Sequence, residues 1–300
     1  MKILYTSDIH ADPGHLEAML AAARETAADA VIIGGDIIPH HLPRWDDLGT
    51  IAAQERYIKK VMIPAFAAFH KTRPIPVYLD LGNDDWVAGR RWLTPQDGVL
   101  FHLLHMRRHR LLPGVDVLGY MCVPPTPFNR KDWEKPDAAD WACPTENPIE
   151  RHGYISRSGR LERHTIDLQA RETIAEDMAQ LSDLVRGPFI LVSHSPPYDT
   201  PLDVIQRGIP VGSVSIRRFI ERWAGEGLLL GSLHGHIHES PQRSGAVHTC
   251  IKGALCVNPG QENGPGGRLR YMLLALETGG RGGAEIRILQ SPGSGDRREG

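Results

Sequence analysis

Between Lys2 and Leu81 the chain alternates short apolar runs with helical patterns, and this order limits the possible folds more than any other feature. Lys2–Thr6, Ala30–Ile33 and Pro76–Leu81 read as strands. His15–Ala28 reads as a helix, and Ile51–His70 as a longer helical stretch that Pro64 kinks or divides. A β-α-β-α-β order implies right-handed crossovers and a largely parallel sheet, hence an α/β architecture. Further strands are expected at Val115–Met121, Phe189–Ser193 and Leu228–Leu233, with helices at Ile166–Val185 and Ser215–Ala224. From Val247 onward the pattern becomes strand and Gly-turn (Val247–Ile251, Ala254–Val257, Arg270–Leu276, Glu285–Leu289), and these strands look antiparallel.

The polar residues that end the strands point to chemistry. In an open α/β sheet, ligands bind beyond the carboxyl ends of the strands. There stand Asp8-Ile9-His10, Gly35-Asp36, Gly82-Asn83-Asp84-Asp85, Ser193-His194-Ser195 and His234-Gly235-His236-Ile237-His238. Any one of these is ordinary: an Asp can cap a helix and an Asn can make a turn. Asp, His and Asn at five successive strand ends are not explained by caps and turns. Carboxylate, imidazole and carboxamide oxygens suit divalent metals such as Mn, Fe, Co, Ni or Zn. In extended backbone Asp8 and His10 leave the same side of the chain, as do His236 and His238. With Asp36, Asn83 and His194 they make seven candidate ligands, too many for one tetrahedral ion and suited to two ions sharing a carboxylate.

Composition enters mainly to exclude. Hydrophobic residues make up 41% and charged residues 23%, ordinary globular values that rule out a disordered or collagen-like chain. A net charge of −2 gives no strong nucleic-acid signal. The initial apolar run is too short for a signal peptide and no window approaches a membrane span, so a cytoplasmic protein without membrane association is expected. None of the four cysteines forms a C-x-x-C pair. The 15 histidines say little by number, because only His10, His194, His236 and His238 fall in a ligand order.

That ordered set resembles the signature blocks of the calcineurin-like metallophosphoesterase superfamily, and the tracts Ser193–Pro197 and Gly235–Ser240 resemble its stand-alone microbial phosphoesterases. The resemblance implies a four-layer α/β/β/α sandwich of two mixed sheets. It places one divalent ion on Asp8, His10, Asp36 and His238 and a second on Asp36, Asn83, His194 and His236, with Asp36 bridging and Mn favoured. The implied reaction is attack on a phosphate ester by a hydroxide between the ions. The substrate would be a small-molecule or nucleotide-like ester. His194 and Asp84 are the candidate catalytic residues.

One position departs from the pattern. The family's third block usually reads Gly-Asn-His, whereas this chain has Gly82-Asn83-Asp84. An aspartate near two metals stays ionised. It would repel a dianionic monoester more than a monoanionic diester, so phosphodiester hydrolysis is favoured. The alternatives are a phosphomonoesterase of nucleotidase or protein-phosphatase type, a DNA exonuclease, and a catalytically silent binding module, against which the seven intact ligand positions argue. His234 reads as a residue that orients its neighbours rather than an eighth ligand. Residues 1–290 read as one domain. Within it, the proline-rich segment Cys122–His164 is an ordered excursion over one face. It carries Arg130, Lys131, Arg151, His152 and Arg157; an Arg or Lys among them could clamp a phosphate, although solvated charge is the commoner role and none is singled out, and Tyr198 and Trp86 could stack on a leaving group or simply pack. The tail Ser291–Gly300 reads as disordered.

Overall fold

The computed structural model describes residues 1–39, 47–263, 266–279 and 283–292. All but the first two residues of the Ser291–Gly300 tail lie outside that range. Two six-stranded mixed sheets form the centre of the molecule. The first is built from β1 (Lys2–Thr6), β2 (Ala30–Ile33), β3 (Val77–Leu79), β4 (His102–Leu103), β13 (Met272–Thr278) and β14 (Ala284–Gln290), in the order β14-β13-β1-β2-β3-β4. The second contains β5 (Arg107–Leu112), β6 (Val115–Tyr120), β9 (Phe189–Ser193), β10 (Leu229–Leu233), β11 (His248–Ile251) and β12 (Ala254–Val257), in the order β11-β12-β10-β9-β6-β5. A hairpin of β7 (His152–Arg157) and β8 (Arg160–Thr165) stands apart from both.

The central strands are parallel, β1 with β2, β2 with β3, β6 with β9 and β9 with β10. They are buried on both faces, which is why they read as continuous apolar runs rather than alternating ones. One hydrophobic cluster includes Ile3, Val31 and Leu79 of the first sheet and Val117, Leu191 and Leu233 of the second, so the sheets share a core. Helix α1 (Pro13–Glu25) contributes Leu16, Met19 and Ala23 to it, and α6 (Val214–Gly225) contributes Ile216, Phe219 and Ile220. The remaining helices are α2 (Asp47–Tyr57), α3 (Ile63–Thr72), α4 (Arg90–Leu93), α5 (Ile174–Ser182) and α7 (Ser240–Ser244). No helix among the described residues is long and apolar enough to cross a membrane.

The expected helix at Ile51–His70 is interrupted by a π-helical turn at Ile58–Met62, just before Pro64, whose missing N–H and ring disturb the preceding turn as expected. The late strands are antiparallel within their pairs, yet β12 joins β10 in parallel, a pairing decided by the neighbouring sheet. The helix expected at Ile166–Val185 is confined to Ile174–Ser182, because Thr173 and Glu176 form a reciprocal cap that starts it late. Strands β4 and β5 were not anticipated. Arg107–Leu112 is rich in exposed arginines and carries no apolar signal.

The excursion after β6 is tied down by its own polar groups. Lys131 and Glu134 form a fully buried ion pair at 2.9 Å. The Trp133 indole N–H donates to the Asp85 carbonyl at 2.9 Å. Asp137 accepts from the backbone N–H groups of Val214 and Ser215 and from the Ser213 hydroxyl, anchoring the segment to the start of α6. The last two residues thus bind the excursion to loops at the carboxyl ends of the strands, the side where the candidate ligands lie.

Candidate metal centre

Strand β1 ends in a loop that reaches across to the end of β2. The backbone N–H of Asp8 donates to Gly35, that of His10 to Asp36 and that of Ala11 to Ile37. Sustaining this ladder after both strands have ended forces unusual backbone. Asp8 (φ 59°), His10 (48°), Ala11 (56°) and Asp36 (50°) all lie in the left-handed region, and His236 (66°) does so separately, in the loop after β10. Such conformations cost on the order of 1–3 kcal/mol each and persist where the surroundings impose them, often at functional sites. Strand alternation therefore does not bring Asp8 and His10 together, contrary to the expectation from their spacing; left-handed turns do.

Within this frame the side chains converge. Ligand atoms of Asp8, His10, Asp36 and His238 all lie within 4.8 Å of one another. His238 Nε2 is 3.2 Å from Asp8 Oδ1 and 3.1 Å from His10 Nε2, and His10 Nε2 is 3.9 Å from Asp36 Oδ2. Asp36 also faces the other way, with Oδ2 3.2 Å from His194 Nε2, which is itself 3.0 Å from Asn83 Oδ1. The His236 ring lies 5.2 Å from that of His194, and its backbone N–H donates to both carboxylate oxygens of Asp8. Six of the seven candidate ligands are thus linked by close side-chain approaches that pass through Asp36, and the seventh, His236, stands beside His194.

The donor set fits divalent cations. His194 Nδ1 is 2.8 Å from the Gly34 carbonyl, which can only accept, so Nδ1 carries the proton and Nε2 of the neutral ring is a lone pair. That lone pair faces the Asp36 carboxylate. Two acceptors at such range need a proton or a cation between them. Separations of about 3 Å also match the edge of a coordination shell with bonds of about 2.1 Å. In the metal-free protein protons fill the role. Burial disfavours a charged His194, but Asp36 outweighs it and pushes the imidazole up to about 9. His238 is raised by Asp8 against the same cost. The Asp8 carboxyl, although buried, is held well below the usual range by His238, His194 and His10. Burial raises Asp36, and burial with His194 nearby lowers His236 to about 3.

Glycines allow the close approach. Gly35 has φ of 112°, and a Cβ there would sit 2.6 Å from His194 Nδ1. At Gly235 a Cβ would collide with Ser7 and Asp8.

Several residues that hold the site were not singled out from sequence. Asp85 accepts from the N–H groups of Ile37, Ile38 and Gly82, joining the Asp36 and Asn83 loops. Asn258 donates to the carbonyls of Leu202, Gly235 and Ile237 and accepts from Gly260, fixing the loop that carries His236 and His238. His234 behaves as read, bonding Ser193, Ser195 and Ser232 away from the ligands. Asp84 lies at the rim with Oδ1 3.3 Å from Arg130 Nη1 and Oδ2 3.9 Å from His10 Nδ1. In sequence Arg130 is one of seven Lys and Arg residues in the excursion, none of them distinguished from the others. In the structure it is only 5% exposed, and its guanidinium lies over the Trp86 ring at 5.3 Å.

The profile of the calcineurin-like phosphoesterases matches residues 1–240. The chain belongs to that family. The matched region contains all seven candidate ligands, from Asp8 to His238. Among solved structures, TT1561 of Thermus thermophilus is similar at 18% identity and a TM-score of 0.53, covering 96% of this chain and 99% of that one. A dimetal phosphatase from Danio rerio aligns at 11% identity and a TM-score of 0.47 over 97% of this chain and 99% of that one. An archaeal phosphodiesterase aligns at 12% identity and a TM-score of 0.38 over 96% and 100%. Among curated protein sequences nothing matches. The likeness to the Thermus thermophilus structure is one of fold, and in this chain the candidate metal cluster lies where the strands of that fold end.

Proposed function

We propose that this phosphoesterase hydrolyses phosphodiesters with two divalent ions, one held by Asp8, His10, Asp36 and His238 and the other by Asp36, Asn83, His194 and His236, Asp36 serving both. The observation that carries the reading is the position of Asp36, whose Oδ2 lies 3.9 Å from His10 Nε2 on one side and 3.2 Å from His194 Nε2 on the other, with His238–Asp8 and His194–Asn83 approaches of 3.2 and 3.0 Å beside it. Ions bound there supply an acidified water and positive charge for the phosphate oxygens. Such ligands accept several divalent metals, and Mn is our choice among them on the family resemblance and not on intrinsic affinity. The residues of the chain do the rest. Gly34 holds His194 by its Nδ1 proton and presents Nε2 to the site. The backbone N–H of His236 restrains Asp8, and that of Asp84 donates to Asp36 Oδ1 at 2.9 Å.

The Arg130 guanidinium beside Asp84 offsets the repulsion expected of that carboxylate, so what supports diester preference at the rim is only that no net positive charge is added there. Asp84 and Arg130 together are neutral, so they add no net positive charge for the second negative charge of a monoester. A lone cation at this position would favour the dianion. The test compares p-nitrophenyl phosphate with bis(p-nitrophenyl) phosphate in the Mn-loaded protein. Faster diester turnover is expected, and faster monoester turnover would overturn the preference. Asp84→His should raise monoester activity.

A further inference from the structure

Beside the candidate metal centre the excursion encloses a cavity of about 490 Å³, a size typical of small-molecule sites. His236, one of the residues proposed to hold metal, forms part of its wall. The other walls are largely apolar. Phe128, Pro136, Trp141 and Ile149 come from the excursion, and Tyr198 and Ile205 from the segment after β9. Trp141 and Tyr198 pack edge to face with centroids 4.9 Å apart, forming a fixed aromatic corner. Phe128 at the rim is 52% exposed, unusual for a ring of that size.

Charge narrows the occupant. Among the described residues no Lys or Arg lines the cavity. Its two carboxylates are Asp137, already engaged by the start of α6, and Glu239. A second phosphate or a carboxylate would find no counter-charge here and would meet Glu239. Aromatic and proline surfaces instead gain by shedding water onto another apolar surface.

We infer that this cavity receives an uncharged apolar organic group of the phosphate ester, so that the substrates are esters of hydrophobic, aryl-type alcohols and not compounds with a second anionic group on that side. The inference rests on the phosphoesterase reading and names the substrate class of the same site. It also gives the excursion a purpose: its buried Lys131–Glu134 pair and the Asp137 anchor hold the apolar wall against the metal centre.

The test uses non-hydrolysable phosphonates and calorimetry on the Mn-loaded full chain. Methyl-, butyl-, phenyl- and 4-carboxyphenylphosphonate share one head group. Affinity should rise with apolar surface, phenylphosphonate binding at least about tenfold tighter than methylphosphonate. The 4-carboxyphenyl compound should lose most of that gain. Trp141→Ala should flatten the series while still binding methylphosphonate; Ile205→Asn makes the same test from the opposite wall. Phenylphosphonate binding no tighter than methylphosphonate, or the carboxylated ring matching the plain one, would overturn the inference and leave the phosphoesterase reading intact. If no phosphonate binds and bis(p-nitrophenyl) phosphate is not hydrolysed, the phosphoesterase reading itself fails and takes the inference with it.

Discussion

Arg130 Nη1 lies 3.3 Å from Asp84 Oδ1, joining residues 46 apart in sequence at the rim of the metal cluster. Alone, Asp84 would set a negative charge beside an anionic substrate. Paired with a guanidinium that is itself buried over Trp86, it becomes half of a neutral unit.

Removing one half of that unit should be worse than removing both. Arg130→Ala leaves Asp84 uncompensated and is expected to destabilise the protein by about 3 kcal/mol, the scale for breaking a largely buried pair. The Asp84→Ala/Arg130→Ala double variant should cost less than the sum of the single changes. Urea unfolding of the four proteins measures the coupling. Additive losses would show that the two charges act independently.

Metal should stabilise the fold through Asp36. At about 100 times its dissociation constant a ligand adds about 2.7 kcal/mol. For a chain of this size that raises Tm by roughly 5 °C. Asp36→Asn should abolish both the Tm rise with Mn and the hydrolytic activity. Differential scanning calorimetry with and without chelator checks the first, and an unaltered Tm rise in the variant would count against Asp36 as a ligand.

Asn258 bonds no candidate ligand side chain, yet it fastens the loop that bears two of them. Asn258→Ala would remove the amide shared by three carbonyls; Gly235 and Ile237 keep backbone N–H partners, whereas Leu202 loses its donor. Metal affinity is expected to fall about 10- to 100-fold, as for other groups that orient ligands. Titration of the metal-free protein with Mn reads this directly, and unchanged affinity would assign Asn258 to the fold alone.

Acid sensitivity should have a source outside the metal centre. His105 accepts the Met121 N–H at 3.0 Å and packs edge-on against Trp133, with centroids 5.0 Å apart. Burial, with Arg90 and Lys135 adding to it, lowers its pKa to about 3. Its folded value is thus below its unfolded value near 6.5, so the stability it contributes is full above that pH and declines as pH falls toward 3. By pH 5 the loss should be about 1–2 kcal/mol. In chelator, His105→Gln should flatten the dependence of Tm on pH between about 6.5 and 4; a slope equal to that of the parent protein would exclude His105.

The sequence by itself determined the class of fold and the chemistry of the site. Apolar runs such as Ala30–Ile33 and Phe189–Ser193 can only be doubly buried strands in this alternation, and the residues that stop them, Asp36 and His194, keep their donor atoms whatever the fold does. Local physics is enough for both. Tertiary structure decided what depends on distant partners. It decided that Asp8, His10, Asp36 and His236 meet through left-handed turns held by cross-strand hydrogen bonds, not through strand alternation. It set Arg130 apart from the other Lys and Arg residues of the excursion by burying it against Asp84, and it turned a proline-rich stretch into an apolar wall beside His236. No local pattern records these outcomes, because the energy of a buried charge or a cavity wall is fixed by groups that sequence places far away.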